Sequence, residues 1–157
     1  MNVTEAAALA ARLRADGRRI VLANGCFDLL HVGHIRYLED ARRLGDVLFV
    51  GINSDGAVAR LKGAGRPLMP AAERIEILSA LRVVDHVVVF DDDTADALIR
   101  AIKPDVHAKG TDYTTESVPE RATAQSIGAA TAITGDPKSH ATRDLIATIV
   151  ERFSKWP

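Results

Sequence analysis

Cysteine pairs, long apolar runs and an excess of positive charge are all missing from this chain. Its 157 residues include one cysteine, Cys26, which excludes an internal disulfide framework and fits a reducing cytoplasm. A zinc site would want further cysteine or histidine ligands at short spacing, and no such cluster surrounds Cys26. The apolar runs fall well short of the roughly 20 residues that span a bilayer. The Ala-rich amino terminus is broken by Glu5, Arg12 and Arg14, as in an amphipathic helix rather than a signal peptide. With 20 Lys and Arg against 21 Asp and Glu, bulk charge favours neither nucleic acid nor a membrane surface as a partner.

What is present is a regular alternation of strand and helix patterns over residues 1–157, expected to form one domain. Helix spacing runs from Thr4 to Ala15, ending at Asp16-Gly17. Short apolar runs predict strands at Arg19–Ala23, Asp46–Ile52, His86–Phe90, Asp105–Ala108 and Ala129–Ile133. Between them lie helix patterns at Ile35–Leu44, Ser54–Leu61, Ala71–Leu81, Ala95–Ile102 and Pro119–Ile127, with a last helix from Thr142. Gly63 to Pro67 has the composition of a flexible loop, and Asp91 to Asp93 that of a cap for the helix after it. The order implies an α/β fold, a Rossmann-like three-layer sandwich around a parallel sheet of about five strands. Ligands should then bind across the carboxyl ends of those strands.

That geometry singles out residues that follow strands. After the first strand comes Asn24-Gly25-Cys26-Phe27-Asp28-Leu29-Leu30-His31-Val32-Gly33-His34. Two histidines flank a glycine where a strand gives way to a helix. Such a junction gathers unpaired N–H groups and the positive end of the helix dipole, which favour phosphate. Gly33 permits close approach of a ligand to the backbone. A single histidine there is ordinarily a cap; two around a glycine point to chemistry. Asn53, Ser54 and Asp55 follow the second strand, with Lys62 and Arg66 beyond. Lys109, Gly110 and Asp112 follow the fourth, and Lys138, His140, Thr142 and Arg143 the fifth. Cationic and hydroxyl groups thus converge on one edge, as a triphosphate requires. His86 and His107 lie within strand patterns and are expected to be structural, and Cys26 to be a packed small residue.

The H-x-G-H loop resembles the signature of the nucleotidyltransferase superfamily. The histidine loop, Val50 to Asp55, Arg60 to Gly63, Arg66-Pro67 and Lys109 to Tyr113 together resemble the bacterial D-glycero-β-D-manno-heptose 1-phosphate adenylyltransferases. The resemblance implies AMP transfer from ATP to a sugar 1-phosphate, giving pyrophosphate and an ADP-sugar for lipopolysaccharide inner core. It implies that His31, His34 and Lys62 are catalytic, acting on the triphosphate. Asn24, Gly25, Cys26, Phe27, Gly33, Lys109, Gly110, Asp112 and Thr142 would bind nucleotide, and Asp28, Asn53, Arg66 and Arg74 the acceptor substrate. Read from its helix alone, Arg74 is equally an exposed ion pair with a neighbouring Glu. Mg²⁺ would be held mainly by ATP phosphates, without dedicated protein ligands. A homodimer is implied, and a sugar kinase would be a separate partner.

The chain departs from that family where a Ser-Thr-Thr run usually opens the last helix. Here it reads Ala141-Thr142-Arg143, preceded by Ser139-His140, and Gly-Gly-Asp-Tyr is replaced by Gly110-Thr111-Asp112-Tyr113. Two other readings stay open: a CTP-dependent glycerol-3-phosphate or ethanolamine-phosphate cytidylyltransferase, and a nucleotide-binding module without turnover.

Overall fold

The structure, a computed structural model, describes residues 1–137 and 141–154. Its strands are β1 (Ile20–Gly25), β2 (Val47–Asn53), β3 (His86–Phe90), β4 (Val106–Gly110) and β5 (Ala130–Thr134). The helices are α1 (Val3–Ala15), α2 (Val32–Arg42), α3 (Asp55–Lys62), α4 (Ala71–Ser79), α5 (Asp96–Ile102), α6 (Arg121–Ser126) and α7 (Thr142–Phe153). All the strand pairings are parallel, in the order β3-β2-β1-β4-β5. The α/β, Rossmann-like sandwich expected from the alternation is therefore the fold.

Burial on both faces explains the unbroken apolar runs. Along β1 the side chains alternate: Val21 and Ala23 join Leu38, Leu48 and Leu78 in one core, and Ile20 and Leu22 join Ala6, Ala10, Phe49 and Ile99 in the other. Helix α1 starts with a capping box, in which Asn2 and Glu5 satisfy each other's backbone N–H groups. Arg14 at its far end donates to the carbonyls of Ile102 and Lys103, closing the end of α5. Among the described residues no helix is long and apolar enough to cross a membrane.

Element limits differ from the sequence reading where backbone pairing outruns the apolar pattern. Strand β1 continues through Asn24 and Gly25 because both stay in register with Gly51 and Ile52 of β2. Helix α2 begins at Val32, so Gly33 and His34 lie in its first turn. The acidic run 91–93 does not cap α5, whose Ala95 cap makes no side-chain hydrogen bond. Arg60 of α3 instead pairs with Asp91 and with Asp93, the latter at 2.9 Å, and Glu120 accepts from Ala95 N at 3.2 Å. Two exposed carboxylates thus pin α3 to the end of β3.

Gly51 lets α5 lie directly on β2. A Cβ there would come within 2.5 Å of Leu98 Cδ2 and 3.3 Å of the Phe90 ring. Gly51→Ala is expected to destabilise the fold by about 1–3 kcal/mol through overpacking. Urea unfolding should show a lower midpoint at unchanged slope.

Candidate active site

The sheet forks where its strand order reverses. The β1–β4 ladder stops at Ala23–Ala108, while β1 stays with β2 to Gly25–Ile52 and β4 with β5 to Gly110–Thr134. The tips of β1 and β4 separate there and open a crevice at the topological switch point. Two side chains hold the fork. The Tyr37 hydroxyl, on α2, donates to Ala108 O at 2.8 Å and accepts from Asn24 N at 3.3 Å. The His107 ring reaches the Asn24 side chain from the opposite face, with Nε2 2.8 Å from Oδ1. Burial pushes the Tyr37 hydroxyl well above the usual phenol range, so it stays protonated.

From the fork the chain turns sharply into α2. Phe27 and Leu29 take positive φ angles of 49° and 58°, a conformation costing on the order of 1–3 kcal/mol for non-glycine residues. Burial of the Phe27 ring holds the turn, with ring centroids 5.2 Å from His34 and 6.3 Å from Tyr37. Gly25 leaves room for that ring, since a Cβ would sit 3.2 Å from it. His31 is the N-cap of α2, and its backbone N–H donates to His34 Nδ1 at 3.3 Å. With Nδ1 accepting, the neutral His34 ring carries its hydrogen on Nε2. Burial and the neighbouring His31, their rings 3.9 Å apart, push the His34 pKa down to about 4, against an upward pull from Asp112. His34 is therefore a neutral donor at pH 7, beside the N–H groups of a helix start.

Asp28 organises the next wall. Its carboxylate accepts from Leu68 N at 2.9 Å, Met69 N at 2.9 Å and Arg66 Nε at 2.6 Å. Burial alone would raise its pKa, but these donors outweigh burial and hold it below the ordinary 3.8. Arg66, expected in a flexible loop, is thereby fixed, whereas Lys62 at the end of α3 stays exposed. Thr142, in the first turn of α7, donates to Asp28 O at 2.8 Å. On the β4 side Lys109 is buried, 3.3 Å from Glu120 and 4.9 Å from the Tyr113 ring centre. Burial tends to raise the Glu120 pKa, but the Lys109 charge and the Ala95 amide bring it below the usual range.

These walls enclose a cleft of about 750 Å³. Of the site residues that the resemblance implies, all except Arg74 line it: Asn24, Gly25, Cys26, Phe27, Asp28, His31, Gly33, His34, Asn53, Lys62, Arg66, Lys109, Gly110, Asp112 and Thr142. Lys138 and His140 lie outside the described residues. Tyr37 and Glu120 also line the cleft and were not singled out in the sequence; Tyr37 stands at a core-facing helix position and Glu120 in a polar stretch, so neither carries a local signal. Burial raises the Cys26 thiol pKa against the pull of Lys62, as befits a packed residue. Among the described residues no cluster of three or more His, Cys, Asp or Glu is arranged to hold a metal ion.

Arg74 is neither an exposed ion pair nor part of the cleft wall. It is 1% exposed, and its guanidinium donates to Met69 O at 3.0 Å, Cys26 O at 2.7 Å, Asn53 O at 2.9 Å and Asp55 Oδ1 at 2.7 Å. It ties the histidine loop, the end of β2, α3 and the 66–69 loop together from behind. Asp55 is taken up by this strut, and Ser54 caps α3, so neither joins the cleft.

Residues 22–150 match the family described as cytidylyltransferase-like. The chain belongs to the cytidylyltransferase-like family of nucleotidyltransferases. Similar relatives include the bifunctional protein HldE of Pelobacter propionicus, 48% identical over 141 residues, or 90% of this chain and 29% of that protein. The bifunctional protein HldE of Streptomyces coelicolor is 54% identical over 113 residues, 72% of this chain and 24% of that protein. The chain thus spans less than a third of the length of these curated relatives. Its fold matches the crystal structure of a lipopolysaccharide core biosynthesis protein from Thermoplasma volcanium, with a TM-score of 0.67 and 27% identity over 78% of this chain and all of that one. In this cytidylyltransferase-like chain the histidine loop sits at the crevice of the sheet, with Arg74 behind it.

Two outcomes follow. Arg74→Met leaves three backbone carbonyls without their donor and should cost more than about 2 kcal/mol, read as a lowered melting temperature; a variant that melts with the wild type overturns the strut role. Asp28 has a depressed folded pKa, so its stabilisation is present above 3.8 and is lost as pH falls through the lower folded value. Urea titrations should show the gap between wild type and Asp28→Asn at full size at neutral pH and shrinking below the carboxylate range.

Proposed function

We propose that this chain transfers AMP from ATP to a sugar 1-phosphate, with D-glycero-β-D-manno-heptose 1-phosphate as the acceptor, releasing pyrophosphate and an ADP-sugar. The observation that carries the reading is the half-buried, neutral His34 beside His31 at the start of α2, in a cleft also lined by Lys62 and Lys109. The similarity to HldE proteins and to a lipopolysaccharide core biosynthesis protein supports the heptose acceptor.

An oxygen of the sugar phosphate attacks the α-phosphorus of ATP, that bond forms, and pyrophosphate leaves from the opposite side. The attacking oxygen is already anionic, so no general base is required. The work of the chain is orientation and stabilisation of charge. His34 donates Nε2–H to an α- or bridging phosphate oxygen, and His31 and the first N–H groups of α2 share that load. Lys62, on an exposed stretch before Gly63 and Gly65, closes on the outer phosphates. Lys109, positioned by Glu120, lines the nucleotide side, and Arg66, held by Asp28, faces the acceptor. The Asp28 oxygens are already engaged; Mg²⁺ would be carried on the triphosphate, where it would neutralise phosphate charge. A separate sugar kinase is the partner this reading assigns as the source of the acceptor's phosphate.

Pyrophosphate release measured with ATP or CTP against heptose 1-phosphate, glycerol 3-phosphate and ethanolamine phosphate tests the reading. Turnover confined to ATP with heptose 1-phosphate is expected. Turnover with CTP overturns the choice of base, and nucleotide binding without turnover in any pair overturns the enzyme. His34→Ala should lower kcat by about 10²–10³. Because His34 of the free protein is pushed down to about 4, kcat/KM should show no His34 titration between about pH 6 and 8.

A further inference from the structure

His107 has no part in that mechanism, yet its ring bonds across the fork to Asn24. It lies in β4, paired in register with Leu22, and is 0% exposed. Its side chain reaches along β1 to Asn24, the residue at which the β1–β4 ladder has ended. Asn24 Oδ1 only accepts, so the hydrogen of that 2.8 Å contact resides on His107 Nε2. The other ring nitrogen, Nδ1, meets no hydrogen-bond partner among the described residues. An imidazole buried in this way carries a desolvation cost that an apolar strand residue would avoid. What it gains in exchange is the contact with Asn24.

An asparagine amide has two chemically different ends, and a rotation exchanges them. With Oδ1 captured from behind, the NH₂ end of Asn24 is the one left for the cleft that Asn24 lines. Loss of the capture would let either end face a ligand.

We propose that His107 is a positioning residue: its Nε2–H holds the Asn24 carboxamide so that the NH₂ group is presented to an acceptor atom of the bound nucleotide. The proposal rests on the nucleotide-binding reading above. Burial, then the nearby Lys109 charge, push the ring pKa down against the upward pull of Glu120 and Asp96, favouring the neutral state with one defined N–H.

The test compares His107→Leu, His107→Gln, Asn24→Ala and the Leu/Ala double variant by ATP calorimetry, melting temperature and pyrophosphate-release kinetics. His107→Leu should weaken ATP binding and raise its KM by about tenfold, roughly 1.4 kcal/mol, while kcat changes little. His107→Gln, whose amide keeps a donor, should recover most of the affinity. On the Asn24→Ala background His107→Leu should add nothing, because the two act as one unit. A His107→Leu variant altered in melting temperature but not in ATP affinity overturns the proposal, as does an additive double variant. The contact is also read without ligand, from a slowly exchanging imidazole Nε2–H resonance that disappears in Asn24→Ala. If the wild type binds no nucleotide, the functional reading fails whatever that resonance shows; if it binds and the resonance is absent, the positioning role fails.

Discussion

The parting of β1 and β4 beyond Ala23 and Ala108 is the constraint on which the rest of the site depends. A parallel sheet satisfies its backbone groups by lateral pairing, so opening it exposes N–H and C=O groups that need other partners. Tyr37 supplies them with one hydroxyl, bonded to Asn24 N and Ala108 O at once. The crevice can then remain open without buried backbone groups going unmatched at its root. Because Tyr37 belongs to α2, the same contact fixes the helix whose first turn carries His34.

Charge in the cleft and behind its wall is arranged by pairing. Asp28 with Arg66, Arg74 with Asp55, and Lys109 with Glu120 are each engaged before any ligand arrives. A buried ion pair contributes little net stability once desolvation is counted, but removing one partner is costly. Their consequence here is geometric. Arg74 holds the backs of four segments together, and Asp28 holds the loop that carries Arg66. Catalysis by positioning needs such rigidity in the walls, while Lys62 stays exposed at the end of α3.

Much of the site was legible because its signals are local. The apolar runs marked the strands, the H-x-G-H loop marked the strand-to-helix junction, and the rule that ligands sit at strand ends gathered Asn24, Asn53, Lys109 and Thr142 on one edge. The less legible parts are those where a residue acts across the fold. Arg74 has the pattern of an exposed helix position, yet the carbonyls of Cys26 and Asn53, distant in sequence, draw it wholly inside. Asp91 and Asp93 precede a helix, yet Arg60 claims them.

By itself the sequence determined the layering, the alternation of strands and helices, and the chemical character of the histidine loop, since each follows from periodicity and short-range spacing. Tertiary structure alone decided which polar groups line the cleft and which brace its wall. Those roles depend on the strand order β3-β2-β1-β4-β5, which brings residues far apart in the chain within hydrogen-bond distance. No local pattern records that distance.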